Sequence, residues 1–152
     1  MANIIKQLID SDGNNIYPIA YAQGGVKISP ALWTNPDPSS SYGENTVSLD
    51  LSKYTFVLIE YRELASNTTR IGTVIIRVDG GQAEMISVLS GYVSKRNATV
   101  STTGVAFTVG DRITSFGSAT TDNNRSIPVA IYGIEISWIV PTTVQGLQYI
   151  EV

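Results

Sequence analysis

The chain changes rhythm at residue 46. From there apolar and polar side chains take turns, with Val47, Leu49 and Leu51 alternating with Ser48, Asp50 and Ser52. A repeat of two is the side-chain period of an extended strand with one dry and one wet face. Residues 54–61 then carry apolar side chains on both parities, which predicts a central strand covered on both sides. Residues 63–69 read as a polar hairpin loop. Residues 70–78 return as a strand with Val74, Ile76 and Val78 on one face. Asp79, Gly80 and Gly81 predict a turn. Residues 83–93 predict a further strand bent at Gly91, and Lys95, Arg96 and Asn97 predict a turn into residues 98–102. Val105, Phe107 and Val109 alternate with Ala106 and Thr108 until Gly110 and Asp111. Residues 112–116 continue or partner that run, and residues 120–124 read as a polar loop. The longest strand candidate covers residues 127–140. Its Tyr132, Ile134, Ile136 and Trp138 share one parity, expected to be buried in the core or in a subunit interface.

The start of the chain is organised differently. Residues 4–9 suit a short strand, being too few for a stable helix. Asp12 and Gly13 mark a turn, and Pro18 biases Tyr17 to an extended backbone. Residues 24–44 look irregular, with Gly24, Gly25, Pro30, Pro36, Pro38 and three consecutive serines, Ser39, Ser40 and Ser41. The expected organisation is an N-terminal attachment arm over 1–23, a linker over 24–44, a β head over 45–140 and a C-terminal strap over 141–152. About eight strands with turns at short spacing predict an all-β fold, an antiparallel β-sandwich or jelly roll with an extended N-terminal arm.

Composition narrows the chemistry. The 152 residues suffice for one domain with a core, and only 15% are charged against 43% hydrophobic. So low a charge share points to surface hidden in an assembly. The net charge is −3 with scattered Lys and Arg, which disfavours nucleic acid, whose phosphates need clustered cations. The chain has no cysteine and no histidine. That removes disulfides, the ligands that zinc and copper favour, the commonest general base and any Ser-His-Asp triad. No apolar run is long enough to span a bilayer, and residues 1–8 lack the pattern of a signal peptide. No metal ligand set, cofactor or catalytic residue is expected.

Few residues invite a functional reading. Asp10, Asp12 and Asn14 sit at a spacing loosely like a calcium loop, but the distal bidentate acid is missing, so a plain turn is the better reading. Asp111 and Glu135 are carboxylates with nothing in the sequence to bring them together across a sugar. The aromatics are more informative, because flat apolar rings flanked by Asn, Thr and Asp suit saccharides. Trp33, Tyr42 and Tyr92 are the candidates for saccharide or partner contact, although Trp33 could equally staple the arm to the domain.

Three pieces resemble small β-rich head domains of bacteriophage fibre, baseplate and minor structural proteins. They are Asp12-Gly13-Asn14-Asn15-Ile16-Tyr17-Pro18; then Ala31-Leu32-Trp33-Thr34 followed, across a Pro/Ser loop, by residues 46–61; and the closing run Ile127-Pro128-Val129-Ala130-Ile131-Tyr132 with its continuation to residue 136. The resemblance implies a virion structural protein, a short tail- or head-fibre subunit assembled in the host cytoplasm. It implies a homotrimer contacting other virion proteins and bacterial surface polysaccharide, with no membrane insertion. Attachment would run through Ile16, Tyr17, Pro18 and Tyr21 of the arm. The alternative is a stand-alone carbohydrate-binding module, and a hydrolase is the third reading.

Overall fold

The computed structural model describes residues 8–9, 15–16, 23–89, 91–114 and 117–139. The strands among them are β1 (Leu8–Ile9), β2 (Asn15–Ile16), β3 (Gln23–Thr34), β4 (Asn45–Ser48), β5 (Phe56–Leu64) and β6 (Ile71–Arg77). They continue with β7 (Gln82–Leu89), β8 (Tyr92–Ser101), β9 (Gly104–Phe107), β10 (Asp111–Thr114), β11 (Ala119–Thr121) and β12 (Arg125–Ile139). The fold is all-β and antiparallel.

The chain divides into two units, residues 26–136 and residues 1–25 with 137–152. In the smaller one, β1 pairs antiparallel with β2, Leu8 opposite Ile16. There too the Ser137 hydroxyl donates to the Gly25 carbonyl at 3.5 Å. The turn at Asp12 and Gly13, the Asp10–Asn14 oxygen cluster, Tyr17, Pro18, Tyr21 and the strap over 141–152 lie outside the described residues, as do the side chains of Ile16 and Trp138.

The larger unit is a sandwich. One sheet has the order β3-β12-β5-β6. In the other, β8 is central: β7 runs along one edge, while β10 and β9 share the opposite edge and lead out to β11 and β4. Alternation fixes which face is buried. In β5, Val57, Ile59, Tyr61 and Glu63 are buried while the residues between them are half-buried. In β8 the buried set is Ser94, Arg96, Ala98 and Val100. The dry interior joins Val57, Ile59, Ile76 and Ile131 of the first sheet to Met85, Val100, Val105 and Phe107 of the second. Each such side chain contributes about 1.5–3 kcal/mol on burial. Tyr61 ties the layers together, donating its hydroxyl across the sandwich to the Ile86 carbonyl at 2.7 Å. Tyr54 lies against Gly133, where a Cβ would collide with its ring.

Several expectations need correction. Residues 23–34 form the edge strand β3, not part of a linker, so only residues 35–44 are irregular. An edge strand has one row of N–H groups without sheet partners, which is why proline is tolerated in edge strands such as this one. Lys95, Arg96 and Asn97 are mid-strand in β8 rather than a turn. Their polarity misled, because Lys95 and Asn97 point outward and Arg96 is buried for a separate reason given below. The run over 83–93 is two strands, and Gly91, at φ +86°, permits the reversal between them. Residues 120–124 include the end of β11. Tyr132 faces away from the main core, half-buried, and donates its hydroxyl to Glu60 at 3.1 Å. Ile131 and Gly133 carry the main core parity of β12, because a β-bulge between Pro128 and Ala130 resets the register, while Ile134 of the expected parity is buried as well, at 6% exposure.

Candidate functional site

The three aromatic candidates do not come together. Trp33 packs edge-on against Tyr42, with ring centroids 6.3 Å apart, and Tyr42 packs edge-on against Phe107 at 5.7 Å. Both are half-buried and pack against the core. Burial raises the pKa of the Tyr42 hydroxyl, opposed by the smaller effects of Asn45 and Arg96. Tyr92 opens the central strand elsewhere, and a polar cluster gathers around it.

That cluster depends on a lock built from Arg96. Strand alternation drives this residue into the interior, where it is 1% exposed. A guanidinium has five N–H donors, and all five are used. Nε donates to Ser126 at 2.9 Å; Nη1 donates to Gly43 at 3.2 Å and to Thr108; Nη2 donates to Tyr42 at 2.6 Å and Arg125 at 3.1 Å, each bond ending on a main-chain carbonyl. Desolvation lowers its pKa to about 10, so it stays charged at neutral pH. Saturated donors leave nothing for a ligand, and Arg96 is therefore structural. It pins the start of β12, where Ser126 adopts φ +47°, a left-handed conformation that costs a side-chain-bearing residue about 1–2 kcal/mol.

The start of β12 in turn holds Arg125 and Asp122. Arg125 Nε donates to Asp122 Oδ2 at 2.9 Å, and Arg125 Nη1 donates to the Tyr92 hydroxyl at 2.7 Å. The Arg125 guanidinium carbon also lies 4.5 Å from the Tyr92 ring centroid, and that of Arg112 lies 4.8 Å from it. Burial tends to raise the pKa of Asp122, but hydrogen bonds from Arg125 and Asn124 outweigh it and hold the carboxyl below its usual value.

Register explains why these groups meet. Thr114 lies opposite Tyr92, Arg112 opposite Ser94, and Thr120 opposite Arg112. All therefore occupy the core-facing side of their sheet, yet Arg112 and Thr120 are exposed. At this end the inner face runs out beyond its cover and becomes a shelf. Arg112, Thr114, Thr120, Thr121 and Asp122 line a cleft of about 230 Å³. A second cleft of about 340 Å³ shares Asp122 and adds Ser39, Ser66, Asn124 and Arg125.

Sequence reasoning found Tyr92 and missed its partners. Asp111 and Glu135, considered together as carboxylates, lie on different sheets, Asp111 opposite Lys95 and Glu135 beside Lys27 and Lys53. Other acids are engaged by cations: Glu63 by Arg70, Asp79 by Arg77 and Glu84 by Lys95. Among the described residues no group of three His, Cys, Asp or Glu could hold a metal ion. No protein-family model matches the chain, and no curated protein or solved structure matches it either.

Proposed function

We propose that this chain is a structural subunit of a bacteriophage particle, a short fibre or appendage protein that assembles with copies of itself and with other virion proteins. The observation that carries the assembly reading is a pair of apolar rows on the outer faces of the sandwich. On the larger sheet Val88, Val93, Ile113 and Ala119 stand side by side across β7, β8, β10 and β11. Val88 in that row is 73% exposed. On the smaller sheet Ile75, Leu58 and Tyr132 form a second row, with Ile71 exposed nearby. Contiguous apolar surface in water favours burial against a partner. The bacteriophage reading rests on the resemblance of residues 12–18, 31–34 with 46–61, and 127–136 to virion head domains.

Light scattering at micromolar concentration tests the assembly reading. A trimer, about three times the 16.4 kDa chain mass, is expected, with Val88→Lys shifting it toward monomer. A wild-type chain that remains monomeric and binds no particle protein refutes it. The second reading, a stand-alone carbohydrate-binding module, is favoured by the Tyr92 shelf.

A further inference from the structure

We infer that the shelf beside Tyr92 is a binding site for a carboxylate-bearing saccharide, with Arg112 taking the carboxylate and Thr114, Thr120 and Asp122 taking hydroxyls. The inference does not depend on the assembly reading, since that is tested by mass and this one by ligand.

Charge is the first argument. Two guanidinium groups flank one tyrosine ring, and like charges so placed repel. Arg125 is compensated by Asp122 at 2.9 Å. Arg112 has no carboxylate partner among the described residues and is exposed. Its attraction to the ring is worth only about 0.5–1 kcal/mol at an exposed site. Its side chain donates no hydrogen bond among the described residues, and its N–H edge matches a carboxylate in the bidentate fashion characteristic of arginine.

Hydroxyl chemistry is the second. Threonine hydroxyls donate and accept, and an ionised carboxylate only accepts. Asp122 is ionised at neutral pH; Oδ2 accepts from Arg125 at 2.9 Å and Oδ1 from the Asn124 N–H at 3.1 Å. Each oxygen keeps a second lone pair, and a sugar ring supplies donors for these and complements the threonines. Drug-sized ligands occupy pockets of roughly 300–1,000 Å³. A cleft of about 230 Å³ therefore suits one sugar residue, and the adjoining cleft across Asp122 suits the next.

Phosphate is the competing anion, and the site is poorly made for it. A dianion here would face the fixed negative charge of Asp122 and find one uncompensated guanidinium. A singly charged carboxylate meets about half that repulsion, and the neighbouring hydroxyls of the sugar donate to Asp122 and offset it.

Calorimetric titration of the full chain with a glucuronate-containing oligosaccharide, its neutral glucose counterpart and inorganic phosphate tests the inference. Saturable binding of the acidic oligosaccharide is expected, at least tenfold tighter than the neutral one, with no competition by equimolar phosphate. Losing a charge-assisted pair costs a factor of ten or more, so Arg112→Gln should weaken binding about tenfold or more. Thr120→Val should weaken it several-fold. Both residues are exposed, and an unchanged thermal midpoint shows that the variants are folded. Absence of acidic-oligosaccharide binding at millimolar concentration overturns the inference. So does equal affinity for the neutral sugar, displacement by equimolar phosphate, or undiminished binding by folded Arg112→Gln.

Discussion

Arg96→Met is the sharpest test of how this sandwich is held together. Methionine is unbranched and apolar like the arginine stem, but it donates nothing to the five carbonyls that Arg96 now satisfies. Those carbonyls are not equally placed. Gly43 and Thr108 belong to exposed residues and can turn to water, whereas Arg125 and Ser126 are buried, 9% and 0% exposed. A buried acceptor left without a partner costs about 1–3 kcal/mol. The two buried carbonyls thus cost about 2–6 kcal/mol, and the half-buried Tyr42 carbonyl adds to that. Release of a desolvated charge works in the opposite direction. The expected net loss is about 3–5 kcal/mol, a large share of the 5–15 kcal/mol typical of a domain. Urea unfolding followed by fluorescence should show a lower midpoint at unchanged slope. Arg96→Lys keeps the charge with three donors and should fall between. A loss below about 1 kcal/mol for Arg96→Met would refute the view that this residue clamps the loops at 42–43 and 108 to the start of β12.

Other perturbations probe separate links. Tyr61→Phe removes the hydroxyl that crosses the sandwich to Ile86 and should cost about 1 kcal/mol in urea unfolding. Gly133→Ala drives a methyl into the Tyr54 ring and should cost about 1–3 kcal/mol, lowering the thermal midpoint. Asp122 has a folded pKa below its unfolded value, so its stabilisation is complete above the unfolded value of ~3.9 and disappears as the pH falls through the folded one. Asp122→Asn should therefore flatten the acid limb of stability measured against pH, leaving the variant and the parent chain closest at the most acidic end.

The all-β class was legible because β-branched residues at a period of two leave little choice of backbone. Spacing alone puts Val74, Ile76 and Val78 on one face, and Ile76 and Val78 are buried, with Val74 half-buried against the same core. Errors arose where a side chain's chemistry contradicted its position. Arg96 looked like a turn residue, although Ser94, Arg96, Ala98 and Val100 keep an unbroken alternation through it. Residues 23–34 looked irregular because glycine and proline are read as breakers, and an edge strand tolerates both. Of the candidate site only Tyr92 was visible. Arg112, Asp122 and Arg125 are brought to it by strand register and by a lock whose acceptors are main-chain atoms, and main-chain acceptors leave no mark in the identity of the residues that carry them.

The place of β3 in its sheet sets a timetable for synthesis. Its one sheet neighbour is β12, and the Asn35 side chain bonds a carbonyl 93 positions further on. At translation rates of about 5–20 residues per second, the strand waits on the order of 5–20 seconds for its mate to leave the ribosome. Through that interval Val26 and Ile28 face a crowd of nascent chains, each able to zip onto a bare ribbon. Lys27 between them and Pro30 just beyond are the residues that make such mispairing unfavourable. The same strand is thereby guarded while it is alone and left free to accept its proper companion once β12 arrives.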